Sequence, residues 1–232
     1  KTDLNISHKN PYYGEYTFHY WIWKSYLDKI KTNWVGFCQY RKFFVKNKIE
    51  AKNLNFENFK KILIVDIDDS LKKYDCILGN KFTVKNYKFS KIIKNHLKEF
   101  LRNPKLFFNK EERTLKFHFD LFHGKGNLEK AIDQLDQENK IEFRNFMNKK
   151  NEFNPHNMFV CKKELLKSYY EIVFPWLERC ENIFGFDDLE DYGKKRIYGF
   201  LAERFLSFWF SKNFYTKEID ILGKDITDYK NF

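Results

Sequence analysis

"VGFCQYRKFF", residues 35–44, begins as a buried strand and ends in a cluster of aromatic and basic side chains. Its first four residues are apolar or small, and Gln39, Tyr40, Arg41 and Lys42 follow them directly. In open α/β sheets, ligands usually bind outside the carboxyl ends of the strands. The stretch therefore predicts a core strand that carries two cations and an amide to a ligand-binding edge.

Strand-like and helix-like segments alternate on both sides of this stretch. Apolar residues recur at spacings of three and four over 14–30 and again over 194–212, which predicts two helices. Short apolar runs predict strands over 34–40, 74–79 and 157–161. No linker rich in Pro, Gly or Ser divides the chain, so we expect residues 1–232 to form one α/β domain. Its sheet is expected to be small and mostly parallel, with helices around it.

The composition indicates an anionic partner but does not identify it. With 43 Lys and Arg against 32 Asp and Glu, the formal net charge is +11, which fits nucleic acid, a phospholipid surface or a phosphorylated small molecule. No apolar run approaches the roughly 20 residues that a membrane span needs. The cysteines form no CxxC pair, which indicates reduced packing residues. They are Cys38, Cys76, Cys161 and Cys180.

"DIDDS", residues 66–70, is a candidate metal site. Asp66 and Asp68 resemble an Asp-x-Asp loop, in which two carboxylates bind a divalent cation that bridges a nucleotide diphosphate. The alternative, which we favour, is a helix N-cap with acidic residues in the first helical turn. The histidines are too scattered for a metal site. His123, just before the "GKGNL" loop, could present its imidazole to a ligand, but the interpretation that we favour is a surface or packing histidine.

"RIYGFLAERF", residues 196–205, places charged side chains on a helix whose other face is apolar. Glu203 and Arg204 would be costly to bury there unless they are paired or face a cleft. One interpretation is a structural Glu–Arg pair. The other makes Glu203 a general base and the arginines, including Arg196, ligands for an anion.

Five blocks, in this order, resemble the signature blocks of a bacterial capsular-polysaccharide glycosyltransferase family that has long been described as a domain of unknown function. They are "NISHKNPYYGEYTFHYWIWKS", "WVGFCQYRKFF", "YDCILGNKF", "NMFVCKKELLKSYYEIVFPWLE" and "RIYGFLAERFLSFWF". The family hallmark is a strand ending in His-Tyr-Arg-Arg-Tyr-Phe, in which this chain has Gln39 for the histidine and Lys42 for the second arginine. Family members usually begin with a further strand and loop, which we expect to be missing at the N-terminus here.

The resemblance implies a GT-A-like, Rossmann-like fold that transfers sugars from nucleotide donors. Gln39-Tyr40-Arg41 stands where many enzymes of this fold have the metal-binding Asp-x-Asp. The resemblance thus implies that Arg41 and Lys42 neutralise the leaving UDP directly. We therefore expect no metal cofactor, with Mn²⁺ or Mg²⁺ as the alternative.

The same resemblance implies roles for individual residues. Glu203 stands where an inverting enzyme has its base, and Asn157 stands where an asparagine holds sugar hydroxyls. Asp75 and His123 are weaker candidates for contacts to the acceptor. The implied residues on the donor side are Glu15, Tyr20, Trp23, Lys24, Gln39, Tyr40, Arg41, Lys42, Arg196 and Arg204.

The expected function is hexosyl or galactofuranosyl transfer from a nucleotide sugar to a growing capsular or surface polysaccharide. The acceptor would be an oligosaccharide or a lipid-linked glycan, and the protein would be cytoplasmic and peripheral on the inner face of the bacterial membrane. One alternative is a basic, aromatic-rich nucleic-acid-binding module, although no RNA- or DNA-binding signature is present. Another is an inactive, transferase-like scaffold.

Overall fold

A computed structural model describes residues 3–46, 54–86, 89–187, 189 and 191–225. The strands are β1 Trp34–Phe37, β2 Lys42–Val45, β3 Cys76–Gly79, β4 Phe82–Thr83, β5 Glu152–Phe153, β6 Phe159–Lys162 and β7 Thr216–Gly223. The α-helices are α1 Asn10–Tyr13, α2 Tyr16–Trp21, α3 Phe56–Ile62, α4 Asp69–Lys72, α5 Phe89–Arg102, α6 Lys105–Phe108, α7 Leu115–His123, α8 Asn127–Ile132, α9 Gln137–Lys149, α10 Lys163–Phe184, α11 Asp191–Lys195 and α12 Ile197–Asn213. The expected domain limits, 1 and 232, lie outside the described residues.

The main sheet of the described residues has five strands in the order β1-β6-β3-β7-β2. Only β3 and β7 run parallel in it, and the pairs β1–β6, β6–β3 and β7–β2 are antiparallel. The α/β class and the flanking helices are confirmed, but the expectation of a mostly parallel sheet is wrong. Apolar runs show which residues are buried, and they do not show the direction in which a neighbouring strand runs.

The opening stretch forms two strands at opposite edges of this sheet. β1 and β2 are the edge strands, and residues 38–41 connect them directly. In a flat sheet these edges would lie roughly 19 Å apart. The short connection includes a tight turn, closed by the hydrogen bond from the Lys42 amide to the Gln39 carbonyl, so the sheet must curl to bring its edges together. The residues of this connection thereby face a concave edge.

The helix expected over 14–30 is broken into three segments. α2 is followed by a π-helical segment, Ile22–Tyr26, and by a 3₁₀ turn, Leu27–Lys29. The buried positions Tyr16, His19 and Ile22 are three residues apart, whereas Leu27 follows Ile22 by five. The wider π turn, in which the Leu27 amide donates to the Ile22 carbonyl, returns Leu27 to the buried face.

Two long helices build most of the core. α12 is apolar on nearly all sides, and almost all its side chains from Ile197 to Phe210 are buried. α10 packs against it and against the sheet, and each large side chain buried between them stabilises the fold by roughly 1.5–3 kcal/mol. Within the described part of the chain, no helix is long and apolar enough to span a membrane.

The segment after α12 contains β7, a strand that the apolar runs of the sequence did not predict. Its residues 216–223 lie between β3 and β2, and charged and apolar side chains alternate over 218–221. The alternation "EIDI" is the signal for a half-buried strand. β7 therefore connects the two halves of the sheet.

Buried histidines make the fold sensitive to acid. Burial lowers the pKa of His19 to about 3, and burial together with the Arg204 charge lowers that of His123 to about 3. An unfolded histidine titrates near 6.5, so as the pH falls below that value the unfolded chain takes up protons that the folded chain cannot. Stability present above pH 6.5 is lost progressively down to about pH 3, at roughly 1.4 kcal/mol per pKa unit for each histidine.

We expect His19→Phe to weaken this pH dependence, since its ring can keep the stacking on Phe37, 4.1 Å away between centroids. The exposed residue His8 provides the matched control, and His8→Gln should leave the dependence unchanged. Denaturant unfolding from pH 7 to pH 4 measures the effect. If the free energy of unfolding falls with pH equally steeply in the wild type and in His19→Phe, the prediction is wrong.

Candidate functional site

A cleft of about 460 Å³ opens at the edge of the sheet where β1 ends and β6 begins. β1 and β6 are antiparallel, with Phe37 opposite Phe159, so residues that follow β1 lie beside residues that precede β6. The first turns of α12 close the cleft from a third side. Its lining is Glu15, Cys38, Gln39, Tyr40, Lys42, His156, Asn157, Tyr192, Arg196, Gly199, Phe200 and Glu203.

The loop before β6 is anchored by a buried asparagine. Asn154 is 1 % exposed; its Nδ2 donates to the Gly79 carbonyl at 2.7 Å, and its Oδ1 accepts from the Ser207 hydroxyl at 2.8 Å. Gly79 ends β3 and Ser207 lies on α12, so one side chain connects the loop to the sheet and to the central helix. This fixes the backbone that carries His156 and Asn157 into the cleft.

Glu15 lies at the meeting point of the three walls. Its Oε1 accepts hydrogen bonds from Gln39 Nε2 at 2.6 Å and from Asn157 Nδ2 at 2.9 Å, and its Oε2 lies 3.5 Å from Arg196 Nη2. These partners belong to the connection after β1, the loop before β6 and the start of α12. About a third of the Glu15 side chain, 31 %, remains exposed. A negative charge is thus held in place and still open to a ligand.

The residue before Glu15 explains how Arg196 reaches it. Gly14 has φ +58°, a left-handed conformation that favours glycine. A Cβ atom at this position would also lie 1.9 Å from Arg196 Nη2. Any side chain here would therefore push the guanidinium away from the carboxylate.

The turn at His156 and Asn157 is left-handed although neither residue is glycine. Their φ values are +77° and +52°, which costs energy and needs support from the surroundings. Glu203 supplies that support, because its Oε1 accepts from the His156 amide at 2.6 Å. Its Oε2 accepts from the guanidinium of Arg204, which is 3 % exposed and packs over the Phe153 ring.

Lys42 is the cation that points into the cleft from the opening stretch. Its Nζ lies 2.7 Å from His156 Nδ1. Burial and the neighbouring Lys42 lower the pKa of His156 to about 4, so the imidazole is neutral at pH 7 and can accept a hydrogen bond from the ammonium. Burial also lowers the pKa of Lys42, while Glu203 and Glu15 act in the opposite direction.

The cleft also contains a polar atom without a partner. Asn157 is 5 % exposed, and its Oδ1 has no hydrogen-bond partner among the described residues, although its Nδ2 is bound to Glu15. Buried acceptors are normally satisfied, so this oxygen is suited to receive a hydroxyl or amide of a ligand. Tyr40, Tyr192 and Phe200 add aromatic surface around it.

The structure brings together most of the predicted site, but Arg41 is not part of the lining. Arg41 is the third residue of the turn closed between Gln39 and Lys42, and its φ is +66°. This left-handed backbone directs the side chain away from Lys42. The guanidinium donates to Asp225 at 2.7 Å and is half exposed.

The aromatic residues expected on the donor side line a different cavity. Tyr20, Trp23 and Lys24 border a space of about 190 Å³ next to Phe174 of α10. Lys24 Nζ lies over the Trp23 ring, 3.4 Å from its centroid. The Tyr20 and Trp23 rings pack on Phe174, at 5.2 and 5.3 Å between centroids, and neither residue lines the cleft that contains Glu15.

Three other predicted residues also lie outside the lining. Asp75 is at the opposite end of the sheet, where it binds Lys162 Nζ at 2.6 Å. His123 is 4 % exposed and lies behind Phe200, with its Nδ1 2.9 Å from the Gly193 carbonyl. Arg204 is buried beneath Glu203. All three support the cleft walls or the sheet from outside the cleft.

The Asp-rich segment forms the predicted helix cap. Asp68 Oδ1 accepts from the Ser70 and Leu71 amides and begins α4. In the part of the chain that the structure describes, no three residues of the types His, Cys, Asp or Glu lie close enough together to hold a metal ion.

Sequence reasoning missed His156, Gly14 and Tyr192 as contributors to the cleft. Gly14 had a detectable signal, since a glycine directly before a charged residue at a helix start often indicates a positive φ. His156 had none, because its left-handed turn and its contact with Lys42 depend on Glu203, 47 residues later in the chain.

The geometry defines an α/β domain with a polar cleft at one sheet edge, holding two carboxylates and two cations. The chain belongs to the family described as a domain of unknown function (DUF4422), whose model matches residues 1–125 and 88–214. The fold is similar to that of a solved structure described as the WbbM bifunctional glycosyltransferase in its apo form, with a TM-score of 0.72 and 21% identity over 95% of this chain. The chain spans 38% of that protein's length. No curated protein sequence matches the chain.

Proposed function

We propose that this chain is a glycosyltransferase that moves a sugar from a nucleotide-sugar donor, with UDP as the nucleotide, to a glycan acceptor. The observation that carries the proposal is the Glu15 carboxylate, held by Gln39, Asn157 and Arg196 in a cleft that also contains Lys42. The fold shared with a protein described as a glycosyltransferase supports the same reaction class.

Lys42 and Arg196 are proposed to neutralise the leaving diphosphate. As the bond between the sugar and UDP breaks, negative charge develops on the phosphate oxygens, and cations already in place stabilise it without reorganisation. Arg196 can offer two parallel N–H groups to a phosphate, and Lys42 a compact charge. The sequence predicted that Arg41 shares this role. Because Arg41 does not line the cleft, the proposal gives it no contact with the diphosphate.

The two carboxylates of the cleft have different surroundings. Both oxygens of Glu203 accept hydrogen bonds from the protein, and its side chain is 12 % exposed. Glu15 is more exposed, and its Oε2 faces Arg196 at 3.5 Å, with room for a ligand hydroxyl. We therefore propose Glu15 as the base that takes the acceptor proton in an inverting displacement, and Glu203 as a residue that positions His156 and Asn157.

The acceptor in this proposal is a growing capsular or surface glycan, either free or lipid-linked. Asn157 Oδ1 would accept a sugar hydroxyl, and the aromatic side chains of the cleft would pack on the C–H faces of a sugar ring. Lipid-linked acceptors place the protein at the cytoplasmic face of the membrane, where its basic surface is attracted to anionic lipid.

Released UDP tests the proposal. We expect the purified protein, given a panel of UDP-sugars and a glycan acceptor, to release UDP from at least one donor and to keep that activity in excess chelator. Activity lost in chelator and restored by Mn²⁺ would return a metal to the mechanism. If no UDP-sugar releases UDP and the protein binds single-stranded nucleic acid tightly, the binding-module alternative is favoured. If it neither releases UDP nor binds any of these ligands, the scaffold alternative is favoured.

A further inference from the structure

A small helical corner of the molecule exposes large apolar side chains. α5 and α6 meet at Pro104, and Leu97 and Leu101 on α5 are 47% and 64% exposed. Phe108, the last residue of α6, is 89% exposed. Scattered exposed apolar residues are ordinary on a protein surface, but Leu97 and Leu101 lie one turn apart on α5, and Phe108 ends the helix α6 that contacts α5. We call Leu97, Leu101 and Phe108 the α5–α6 patch.

Contacts on the side of the corner that faces the protein hold α6 and the end of α5 in place. Phe100 is buried, and its ring packs on Phe107 at 5.0 Å and on Phe117 of α7 at 5.7 Å between centroids. The Arg113 guanidinium donates to the Leu106 and Phe107 carbonyls at 2.9 and 3.1 Å. The end of α6 is therefore fixed, and Phe108 is presented outward on an ordered backbone.

Exposed basic side chains occur in the same two helices and directly after them. Lys94, Lys98, Lys105 and Lys110 are exposed in the same corner. Glu99 lies between Arg102 and Lys125, at 3.1 and 3.2 Å, so two cations neutralise this carboxylate. Exposed apolar side chains together with exposed lysines match an interface between acyl chains and anionic headgroups, where the apolar groups insert and the ammonium groups stay with the phosphates.

The patch also lies close behind a wall of the cleft. α7 carries Phe117 toward α5 and His123 toward the cleft, where the His123 ring packs against Phe200 at 4.2 Å between centroids. One helix therefore separates the α5–α6 patch from the cleft lining. A surface bound through this patch would lie beside the cleft.

We propose that the α5–α6 patch is a docking surface for an anionic lipid bilayer, with Leu101 and Phe108 inserting and the exposed lysines of the same corner binding the headgroups. The inference rests on the membrane attachment in the proposed function and names the surface that makes this attachment. It does not depend on sugar transfer.

Vesicle sedimentation tests the inference. We expect the wild-type protein to bind vesicles that contain phosphatidylglycerol, and to bind vesicles of pure phosphatidylcholine much more weakly. Leu101→Ser combined with Phe108→Ser should weaken binding roughly tenfold or more, because each inserted side chain loses its apolar burial. Lys98→Glu combined with Lys105→Glu should weaken it similarly and make the remaining binding less sensitive to salt.

Matched controls lie elsewhere on the surface. Val65 is 86% exposed and Lys167 is exposed on α10, so Val65→Ser and Lys167→Glu should bind vesicles as the wild type does. Unchanged binding by both patch variants would overturn the inference while leaving membrane attachment possible elsewhere on the protein. Failure of the wild type to bind anionic vesicles would overturn both the docking surface and the proposed membrane attachment. If the wild type forms a dimer but does not bind vesicles, and the patch variants are monomers, a second copy of the chain covers this face.

UDP release with a soluble acceptor is measured on the same variants. We expect them to keep wild-type rates, since none of the changed residues lines the cleft. Vesicle binding without UDP release from any donor would contradict the proposed reaction and leave the docking surface supported.

Discussion

Lys42→Met is expected to slow sugar transfer roughly a hundredfold or more, the usual cost of removing a group that stabilises developing oxyanion charge. Lys42 points into the cleft and is held there at 2.7 Å from His156 Nδ1. Methionine keeps most of the side-chain length and removes the charge. The loss should appear in kcat, because the additional charge on the leaving diphosphate is absent from the bound donor and develops on the way to the transition state.

Arg41→Asn is the matched comparison, and we expect its rate to stay close to that of the wild type. Asparagine tolerates the φ of +66° at this position, so the turn should survive. The Arg41 side chain is half exposed and bound to Asp225 outside the cleft. Steady-state UDP release by both variants decides the point. An inactive Arg41→Asn beside an active Lys42→Met would return the diphosphate-binding role to Arg41, as the sequence alone predicted.

Glu15→Gln and Glu203→Gln are expected to fail in different ways. Glutamine at position 15 can still accept hydrogen bonds from Gln39 and Asn157 through its amide oxygen, so the fold should keep its stability. It cannot take a proton, and we expect kcat to fall roughly a hundredfold or more. Thermal unfolding and UDP release, measured on the same preparation, separate the two effects.

Glu203→Gln should first affect stability. Arg204 is 3 % exposed and would lose its charged partner, and breaking a buried ion pair in this way typically costs about 3–5 kcal/mol. The left-handed turn at His156 would also lose a strong acceptor for its amide. A Glu203→Gln variant with wild-type stability and no activity, beside an active Glu15→Gln, would assign the base to Glu203 instead.

Backbone strain concentrates at this cleft. Four non-glycine residues among the described ones have positive φ, and three of them, Arg41, His156 and Asn157, lie in the two segments that meet at the sheet edge. Such conformations persist only where surrounding contacts enforce them. Here the Glu203 carboxylate and the Asn154 anchor enforce the second segment, which arranges the cleft polar groups before a ligand arrives.

The sequence alone determined three core strands, the last long helix and one side of the cleft. Apolar periodicity located the core strands and α12, because burial of one face leaves a repeating pattern in the chain. The N-cap at Asp68 followed from local hydrogen-bonding chemistry. The position of Gln39 and Lys42 at a strand end likewise predicted a polar edge.

The tertiary structure decided strand direction and the identity of the groups that meet. The apolar pattern of β6 would be the same in either direction, and only its antiparallel position beside β1 brings Asn157 to Gln39. Arg41 and Lys42 are adjacent and chemically similar in sequence, and the left-handed turn sends one outward and the other into the cleft. Such choices depend on contacts between residues far apart in the chain, and local sequence does not encode them.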